Sequence, residues 1–492
     1  MATLERDILD KVGKYNLQEL SIISYSQDKE ESKPKFIDIK GITLTLSITE
    51  DIFNNNLSGH VVVYDMQDVR TLFPLTGLER LSLSFTSPGI TGYDFTDTTG
   101  IPLQIYKIDK ITKDPNQEKA QFYQIFFCSP EMYRNSITKI SKAYAGPIEN
   151  AINDILRNYL KSEKPFYFEP TATNPKIVIP NLKPYEAIRL LAKSAIPKNF
   201  PYNAGYVFYE TSRGFYFRSN ASMMAIGGVG AQITPKWKFS AIIPNVTEND
   251  KQPEIKDIER RLSQVLKYNV NKPIDMLANI NEGFYASKTT SHDAFNKTIS
   301  VYNFDSADRK DKTPRLEMGT EAGLLYPKDV EYADTRKPLT QHYDSRHMTK
   351  SSTKKIHNDY EDREGVFGLP MRIHDHQGYR NQNLTLLVFG NTIINAGDII
   401  TFSAPIQAPQ NQDERSEINP YTSGRYIVMA LKHQVDVASQ RHEMVLKCYK
   451  DSVSNAYPTE EEALSSIGQG TSSKTDIYED QLQKFGGGLD YF

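Results

Sequence analysis

In the first part of the chain, apolar and polar residues alternate with a period of two. Residues 42–48 read Ile-Thr-Leu-Thr-Leu-Ser-Ile, and in residues 80–85 the apolar positions are Leu81, Leu83 and Phe85. This period is that of an antiparallel strand with one face in a core and the other toward solvent. The same pattern predicts further strands at residues 17–25, 36–50, 60–65, 102–111 and 121–128. Because no helical pattern separates them, the sequence predicts a closed or nearly closed β-barrel.

Helical spacing begins after residue 129. Gly146-Pro147 precedes a segment whose apolar residues recur every three or four positions, which predicts an amphipathic helix. These residues are Ile148, Ile152, Ile155, Leu156 and Tyr159. A second helix is predicted at residues 185–195, and residues 204–219, AGYVFYETSRGFYFRS, predict an aromatic hairpin that turns at Arg213-Gly214. An α+β unit is therefore expected after the first barrel.

Strand patterns return in the C-terminal half of the chain. They predict strands at residues 382–389, 399–404, 425–437 and 443–449. Residues 276–302 are predicted to form two long strands around Asp293, and residues 257–270 a helix. Residues 305–374 are rich in charged side chains with almost no apolar period, which is typical of a long surface excursion.

Two segments of the chain resemble each other. Residues 105–128 and 427–448 are each a strand, a polar turn and a strand that ends at a cysteine, Cys128 or Cys448. Such a repeat predicts a duplicated barrel with the two cysteines at equivalent strand positions. The predicted fold class is mainly β with an α+β insertion, in which two tube-like antiparallel β-barrel domains accompany a decorating domain. The predicted boundaries are 1–130 for the first barrel, 131–275 for the intervening domain, 276–452 for the second barrel with a polar insertion at about 305–380, and 453–492 for a tail.

Composition narrows the classes of function. The 492 residues carry a net charge of −3 and a pI near 6.4, whereas proteins that hold nucleic acid over a whole surface are usually basic. No run approaches the roughly 20 apolar residues of a membrane-spanning helix, and the N-terminal segment lacks the apolar region of a signal peptide. Two cysteines cannot build a disulfide framework or a multi-thiolate metal site. We therefore expect buried free thiols and folding in the cytoplasm.

The chain contains no recognisable catalytic constellation. His374-Asp375-His376 is the tightest histidine cluster, and in a strand its two imidazoles could share a metal, but its polar surroundings favour a solvated pair. The glycine-rich residues 226–230 lack the Gly-Lys-Ser/Thr ending of a phosphate-binding loop. The acidic residues considered as catalytic carboxylates are more simply caps, turns or exposed positions: Glu131, Asp154, Glu210 and Asp293. We expect no enzymatic activity, no cofactor and no metal.

Four segments, in order, resemble the baseplate hub proteins of contractile phage tails, including T-even-type hubs and the hub part of type VI spikes. The hub's first barrel is similar to LSGHVVVYDMQDVRTLFPLTGLERLSLSF at residues 57–85. Its intervening domain is similar to NLKPYEAIRLLAKSAI and NAGYVFYETSRGFYFRS at residues 181–196 and 203–219. The strand pair that re-enters the second barrel and the closing hairpin resemble EGFYASKTTSHDAFNKT and SGRYIVMALKHQVDVASQRHEMVLKCYKDS. The resemblance covers about residues 15–455.

This resemblance implies a homotrimer with two tube-like barrels per subunit, arranged as a pseudo-sixfold ring. Such a ring joins a sixfold tail tube to a threefold central spike, next to the tape measure protein and the baseplate wedge proteins. The genome DNA would pass through its channel without specific binding, and the protein would belong to the tail baseplate of a virion assembled in the host cytoplasm. One alternative is a hub of a contractile injection or type VI-like system. A second, which the resemblance supports less, is a glycan-binding or wall-degrading tail protein.

An apolar turn between two strands of the first barrel is the candidate interface. It comprises Phe73, Pro74, Leu75, Thr76 and Gly77. Monomeric proteins rarely expose such apolar turns to water. Two interpretations stand side by side: the turn contacts the tube or a sister subunit, or it covers the end of its own barrel.

Overall fold

The computed structural model describes residues 13–24, 36–73, 75–87, 92–98, 100–115, 117, 120–225, 237–241, 262–271, 275–294, 296–309, 312–317, 323–324, 339–351, 367–405 and 418–453. The glycine-rich residues 226–230, the predicted tail after residue 453 and Pro74 lie outside this part of the chain.

Strands dominate the structure, as the predicted fold class requires, and the mainly β prediction is confirmed. In chain order they are β1 (Asn16–Ile23), β2 (Phe36–Asp38), β3 (Thr43–Asp51), β4 (Ser58–Asp65), β5 (Arg80–Thr86), β6 (Tyr93–Phe95), β7 (Leu103–Lys113), β8 (Gln121–Cys128), β9 (Ile140–Ala145), β10 (Phe166–Phe168), β11 (Lys176–Leu182), β12 (Tyr206–Thr211), β13 (Gly214–Ser219), β14 (Trp237–Ser240), β15 (Val265–Asn271), β16 (Ala286–Asp293), β17 (Thr298–Asp305), β18 (Gly323–Leu324), β19 (His347–Ser351), β20 (Gln382–Phe389), β21 (Ile399–Ser403), β22 (Gly424–Asp436), β23 (Arg441–Lys450) and β24 (Ser452–Val453).

Helices are short and lie mostly between the two strand-rich parts. The α-helices are Val69–Leu72, Pro130–Ile137, Ile148–Asp154, Pro184–Ala192, Asn220–Met224, Met276–Asn281 and Leu369–Gly378; a π-helical turn, Ile155–Tyr159, extends the third. Among the helices of the described residues, none has the length and apolar character needed to cross a membrane.

Strands β1–β8 surround one apolar core and are called the first barrel. Their order is β3-β4-β8-β7-β5-β1-β2, with β6 on β5. Leu20, Leu46, Val61, Leu83 and Ile125 come from five different strands and are buried together in this core. The predicted strands of this region are confirmed, except that a 3-10 turn at Lys40–Ile42 divides the predicted strand 36–50 into β2 and β3.

The two amphipathic helices and the aromatic hairpin predicted for the intervening domain are present. The hairpin β12–β13 pairs Thr211 with Gly214, so the turn residues are Ser212 and Arg213, one residue before the predicted Arg213-Gly214. The apolar faces of the helices Ile148–Asp154 and Pro184–Ala192 share one core with Phe208 and Phe215 of the hairpin.

Strands β14, β15 and β20–β23 surround a further core and are called the second barrel. Within the described residues, the helix predicted over 257–270 is wrong, because residues 265–271 form β15. Tyr268 and Val270 pack against this core while Lys267, Asn269 and Asn271 are exposed. Buried and exposed side chains therefore alternate along this segment, as in a strand.

Residues 276–302 do not supply strands to the second barrel, so that prediction is also wrong. They form the helix Met276–Asn281 and part of β16–β17, which with β19 makes a separate three-stranded sheet. The buried face of β16 carries Ser287, Thr289 and Ser291. Hydroxyl side chains on that face do not suit an apolar barrel core.

The two barrels share one topology. The order β3-β4-β8-β7-β5 in the first is matched by β15-β20-β23-β22-β21 in the second, and both sets run in the same order along the chain. Every neighbouring pair in both sets is antiparallel. The chain thus contains the same five-stranded unit twice.

Candidate assembly interface

In the described part of the chain, β22 provides the strand pairing between the two barrels, because it pairs with two other strands along one edge. Its first residues, 424–427, pair with β21 of the second barrel. Residues 430–436 then pair with β3 of the first barrel, with Val435 opposite Leu46. The barrels therefore form one continuous sheet, and the β22–β3 ladder is called the seam.

A buried chain of polar side chains crosses the seam. The Ser87 hydroxyl lies 3.1 Å from Nδ1 of His442, whose Nε2 lies 3.1 Å from Nδ1 of His433. Nε2 of His433 lies 3.0 Å from the hydroxyl of Tyr93, which donates to Oε1 of Glu50 at 2.9 Å. Each of these five side chains has a hydrogen-bond partner in the row, so the polar groups can be buried at the seam without the cost of an unpaired donor or acceptor.

Glu50 also ties the intervening domain to the seam. It accepts hydrogen bonds from the backbone N–H groups of Ser212 and Ala396, at 2.8 and 3.0 Å, and from the Asn395 amide. Burial raises the pKa of Glu50 to about 7, although these hydrogen bonds oppose the shift. The carboxyl group thus holds three parts of the chain together at one point.

The two imidazoles of the seam are held in the neutral form by burial. Burial lowers the pKa of His442 to about 4. For His433, burial and then the neighbouring His442 hold the pKa well below the usual range. Neither sequence position suggested this, because each histidine stands among polar strand residues and they meet only across the β22–β23 hairpin.

We expect acidification to weaken the folded state through His442. Its pKa is lower in the folded than in the unfolded chain, so its contribution to stability is present above pH 6.5 and is lost as the pH falls toward 4. A shift from 6.5 to about 4 corresponds to about 3 kcal/mol. Glu50, with a raised pKa, acts in the opposite direction: its contribution is present below pH 4.5 and is lost as the pH rises to about 7.

Urea unfolding at stepped pH measures this effect. His442→Gln should lose stability less steeply than the wild type between pH 6.5 and 4.5, since glutamine binds no proton. Parallel pH profiles for the two proteins would contradict the assignment.

A second buried cluster joins the first barrel to the intervening domain. Lys164 Nζ lies 2.9 Å from Oε2 of Glu131 and 2.6 Å from Oε1 of Glu210. Glu210 also accepts from the backbone N–H of Leu57 at the start of β4, at 3.0 Å, and Glu131 from the Ser162 hydroxyl. Burial alone would lower the pKa of Lys164, but the two carboxylates raise it. The prediction that Glu131 and Glu210 are simple caps or exposed positions is therefore wrong.

Backbone irregularities show how far the two barrels correspond. β7 has a bulge after Ile105, opposite Phe127, and β22 has one after Val428, opposite Cys448. The strands β3 and β15 are also bulged at matching places, after Thr43 and Val265 in their pairing with β4 and β20. Bulges are specific structural features, and the shared ones fix the residue correspondence of the two barrels. β7 has one further bulge, between Asp109 and Thr112, which has no counterpart in β22 and adds one residue there.

In this correspondence, residues that face the core of the first barrel match residues that face the core of the second. The equivalent pairs are Leu46 and Tyr268, Ile48 and Val270, Val61 and Leu386, Val63 and Val388, Leu81 and Ile400, Leu83 and Phe402, Ile105 and Val428, Ile108 and Leu431, Tyr123 and Met444, Ile125 and Leu446, and Phe127 and Cys448. A register error of one residue would have exchanged the core and outer faces.

The predicted equivalence of the two cysteines is wrong by one residue. Cys448 corresponds to Phe127, whereas Cys128 corresponds to Tyr449. Cys448 therefore lies in the second core, while Cys128 is buried on the opposite face from Phe127 and Ile125. The similarity of the two hairpins is genuine, but the cysteines are not matching positions within it.

The seam strands have counterparts that lack such a partner. β7 corresponds to β22, and β15 corresponds to β3. Within the part of the chain that the structure describes, β7 beyond Gln104 pairs only with β8, and β15 pairs only with β20. Each thus presents one open edge, which the alternation of the sequence alone did not reveal.

The predicted interface at residues 73–77 folds back on its own barrel. Phe73 and Leu75 are partly buried and pack against the first core. Glu79 fixes the turn by accepting from the Thr76 N–H and hydroxyl and from the Gly77 N–H, at 2.7–2.8 Å. Gly77 has φ +90°, which favours glycine. Contact of this turn with a tube or a sister subunit stays a prediction.

Replacing Phe73 and Leu75 together by serine separates the two interpretations. Because both side chains contact the core, we expect a loss of a few kcal/mol of folding stability. If the turn is only a cover, the molecules that fold will assemble normally. Thermal melting next to an assembly assay measures both effects, and a normally melting mutant that fails to assemble would show that the turn is an interface alone.

The His374-Asp375-His376 cluster is not a solvated loop, so that prediction is wrong. It lies in the helix Leu369–Gly378, where residues two apart point in different directions. The His374 ring stacks on Phe284 at 4.5 Å, and its Nδ1 lies 2.8 Å from the Phe284 carbonyl oxygen. Asp375 is buried in an ion pair with Arg309 at 2.8 Å. We therefore expect His374→Ala to lower stability.

A cationic cavity of about 620 Å³ lies beside this helix. Its charged lining consists of Arg189, Lys193, Arg346, Arg372, Arg380 and one acid, Glu282. Several of these groups serve the fold: Arg346 donates to the Glu282 carbonyl oxygen at 2.7 Å, and Arg380 pairs with its carboxylate at 3.6 Å. In the described residues, no group of three or more His, Cys, Asp or Glu side chains is placed to hold a metal ion.

Comparison with known proteins gives structural similarity only. No family model and no curated protein matches the sequence. The solved structures that the chain resembles in fold include two tail proteins and a component of a type VI secretion system. This is the class that the sequence resemblance named.

Three of these structures are compared with this chain by sequence identity, TM-score and coverage. A tail protein from Neisseria meningitidis MC58 is 10% identical, with a TM-score of 0.45 over 89% of this chain and 97% of its own. The 43 kDa tail protein of prophage MuSo2 from Shewanella oneidensis is 9% identical, with a TM-score of 0.48 over 88% and 98%. The E. coli c3393 protein, a component of the type VI secretion system, is 9% identical, with a TM-score of 0.40 over 91% and 80%.

Proposed function

We propose that this protein is the structural hub of a contractile phage tail. In this role three chains form a ring that joins the sixfold tail tube to the threefold central spike. The tape measure protein and the baseplate wedge proteins would be its other neighbours, and the genome would pass through the channel. The role is structural and requires neither catalysis nor a cofactor.

The duplicated barrel carries this proposal. A chain with two equivalent barrels presents two similar surfaces, so three chains offer six similar surfaces to a tube and three identical ones to a spike. Internal duplication is a direct way to match a sixfold partner to a threefold one. The seam supports the same idea, because it sets the two barrels side by side in one sheet.

The charge of the chain suits a channel that DNA passes through without being held. Non-specific binding of DNA depends on Lys and Arg contacts with phosphates. The net charge of −3 provides no general excess of such contacts.

Light scattering of the protein mixed with its central spike protein tests the proposed stoichiometry. We expect three copies of this chain in each complex with the spike. A stable complex with one or with six copies would contradict the role of a symmetry adaptor.

A further inference from the structure

We propose that β7 of one protomer pairs antiparallel with β15 of the next protomer, so that the contact between chains repeats the seam within each chain. The inference rests on the proposed ring and names its partner, a second copy of this chain. It specifies which edges meet and in which register.

The first support is the correspondence of the two barrels. Within one chain, β22 of the second barrel pairs with β3 of the first. The equivalent strands are β7 of the first barrel and β15 of the second, and each of these has an open edge among the described residues. If every barrel contacts the next in the same way, these two edges must meet between chains. A head-to-tail contact of this kind closes into a ring when its rotation allows.

The second support is the exposure of these edges. Tyr106 and Ile111 of β7 are 51% and 49% exposed, although both are large and apolar. Met429, the counterpart of Tyr106, is partly buried and packs against a cluster that includes Ile52, the residue directly after β3. A long open strand is a ready template for pairing with another chain, and pairing would cover these side chains.

The seam also supplies the register. Within the chain, Gln434 lies opposite Ser47, and Lys432 opposite Thr49. Residues of β7 and β22 correspond when their partners on β8 and β23 are equivalent. Residues of β15 and β3 correspond when their partners on β20 and β4 are equivalent. They place Thr112 opposite Asn269, and Asp109 opposite Asn271. The two β7 residues are three apart and the two β15 residues two apart, because the bulge between Asp109 and Thr112 adds one residue to β7.

The hydrogen bonds of the seam show what kind of pairs these are. The Val437 N–H donates to the Leu44 carbonyl and the Ile52 N–H to the Met429 carbonyl, both at 2.9 Å. The backbone N–H and C=O groups of successive residues in an antiparallel strand point to opposite sides. Those of Ser47 and Thr49 therefore point away from β22, and both residues form non-hydrogen-bonded pairs with it. The Cα atoms of such pairs are about 4.5 Å apart, within the range of a disulfide. The same spacing is expected at Thr112–Asn269 and Asp109–Asn271.

Disulfide trapping between single-cysteine variants tests this register. Thr112, Asn269 and Asn271 are exposed and Asp109 is partly exposed, so the substitutions should not disturb folding. The native Cys128 and Cys448 are buried, and burial raises the pKa of both thiols, which keeps them out of the reaction. Mixing Thr112→Cys with Asn269→Cys, or Asp109→Cys with Asn271→Cys, should give a cross-linked dimer on mild oxidation.

The exchanged mixtures are the matched controls. Thr112→Cys with Asn271→Cys, and Asp109→Cys with Asn269→Cys, lie out of register, where diagonal Cα atoms are about 7–8 Å apart and disulfides do not form readily. We expect at least a tenfold lower yield from them. Equal yields from all four mixtures, or a trimer by light scattering without any cross-link, would overturn the pairing and leave the proposed hub intact. A protein that stays monomeric with its spike and never cross-links would overturn both.

Discussion

Lys164→Met is expected to destabilise the protein by about 3–5 kcal/mol, because it leaves two carboxylates buried without their cation. The side chain of Lys164 is only 10% exposed and lies between Glu131 and Glu210, whose side chains are 0% and 1% exposed. With the lysine removed, one carboxyl group has to take up a proton in the folded state. The variant should therefore gain stability as the pH falls from 7 toward 4.5, which distinguishes lost charge compensation from lost packing.

The exposed pair of Lys142 and Asp154 is the control for this substitution. These groups are 2.8 Å apart, but their side chains are 44% and 23% exposed. Lys142→Met should cost far less stability than Lys164→Met, because exposed ion pairs are screened by solvent and usually contribute little. Similar losses for the two variants in urea unfolding would contradict the account of the buried cluster.

Phe127→Ala is the second substitution with a large expected effect, about 3–5 kcal/mol. Phe127 is fully buried in the first core, directly opposite Gly59. A Cβ atom on Gly59 would lie 2.4 Å from the Phe127 ring and 2.2 Å from the Ser47 carbonyl oxygen, so the glycine leaves room for the ring. At the equivalent place in the second barrel, Leu384 lies opposite Cys448.

The same core position is thus filled from different strands in the two barrels. In the first barrel the large residue is Phe127 on β8, and in the second it is Leu384 on β20. Cys448→Ala is the matched control, and it should cost only about 1 kcal/mol because it removes one atom while Leu384 stays in place. Denaturant unfolding of both variants measures the difference. Equal losses would contradict the conclusion that Phe127 fills this position of the first core whereas Leu384 fills it in the second.

Much of the fold could be predicted because local pattern and tertiary packing agree. The strand at residues 382–389 has one apolar face toward a core, and its predicted limits are those of β20. The hairpin turn was predicted to within one residue, because Gly214, directly after the turn, has φ +135°, where other residues are strained. In both places the sequence states what the surroundings require.

The errors arose where local pattern says little about surroundings. The outer face of β15 carries Lys267, Asn269 and Asn271, and these polar residues hid a strand at an open edge. The two cysteines suggested a false alignment because Cys128 and Cys448 occupy neighbouring, not equivalent, positions of β8 and β23, and only Cys448 belongs to a barrel core.

The candidate interface was harder to predict than the fold. His433 and His442 meet only when β22 and β23 pair, and Tyr93 and Glu50 approach them only when the barrels join. An open strand edge likewise has no local signature, since it is defined by the strand that is missing beside it. The apolar turn that the sequence did mark, at Phe73 and Leu75, packs against its own core.

End-on images of the purified assembly by electron cryomicroscopy test the central claim most directly. That claim is that each chain contributes two equivalent barrels to one ring. The account predicts six barrel-sized densities around the axis, alternating in fine structure with threefold symmetry, from three chains. Three such densities at that radius, or six identical ones from six chains, would contradict it.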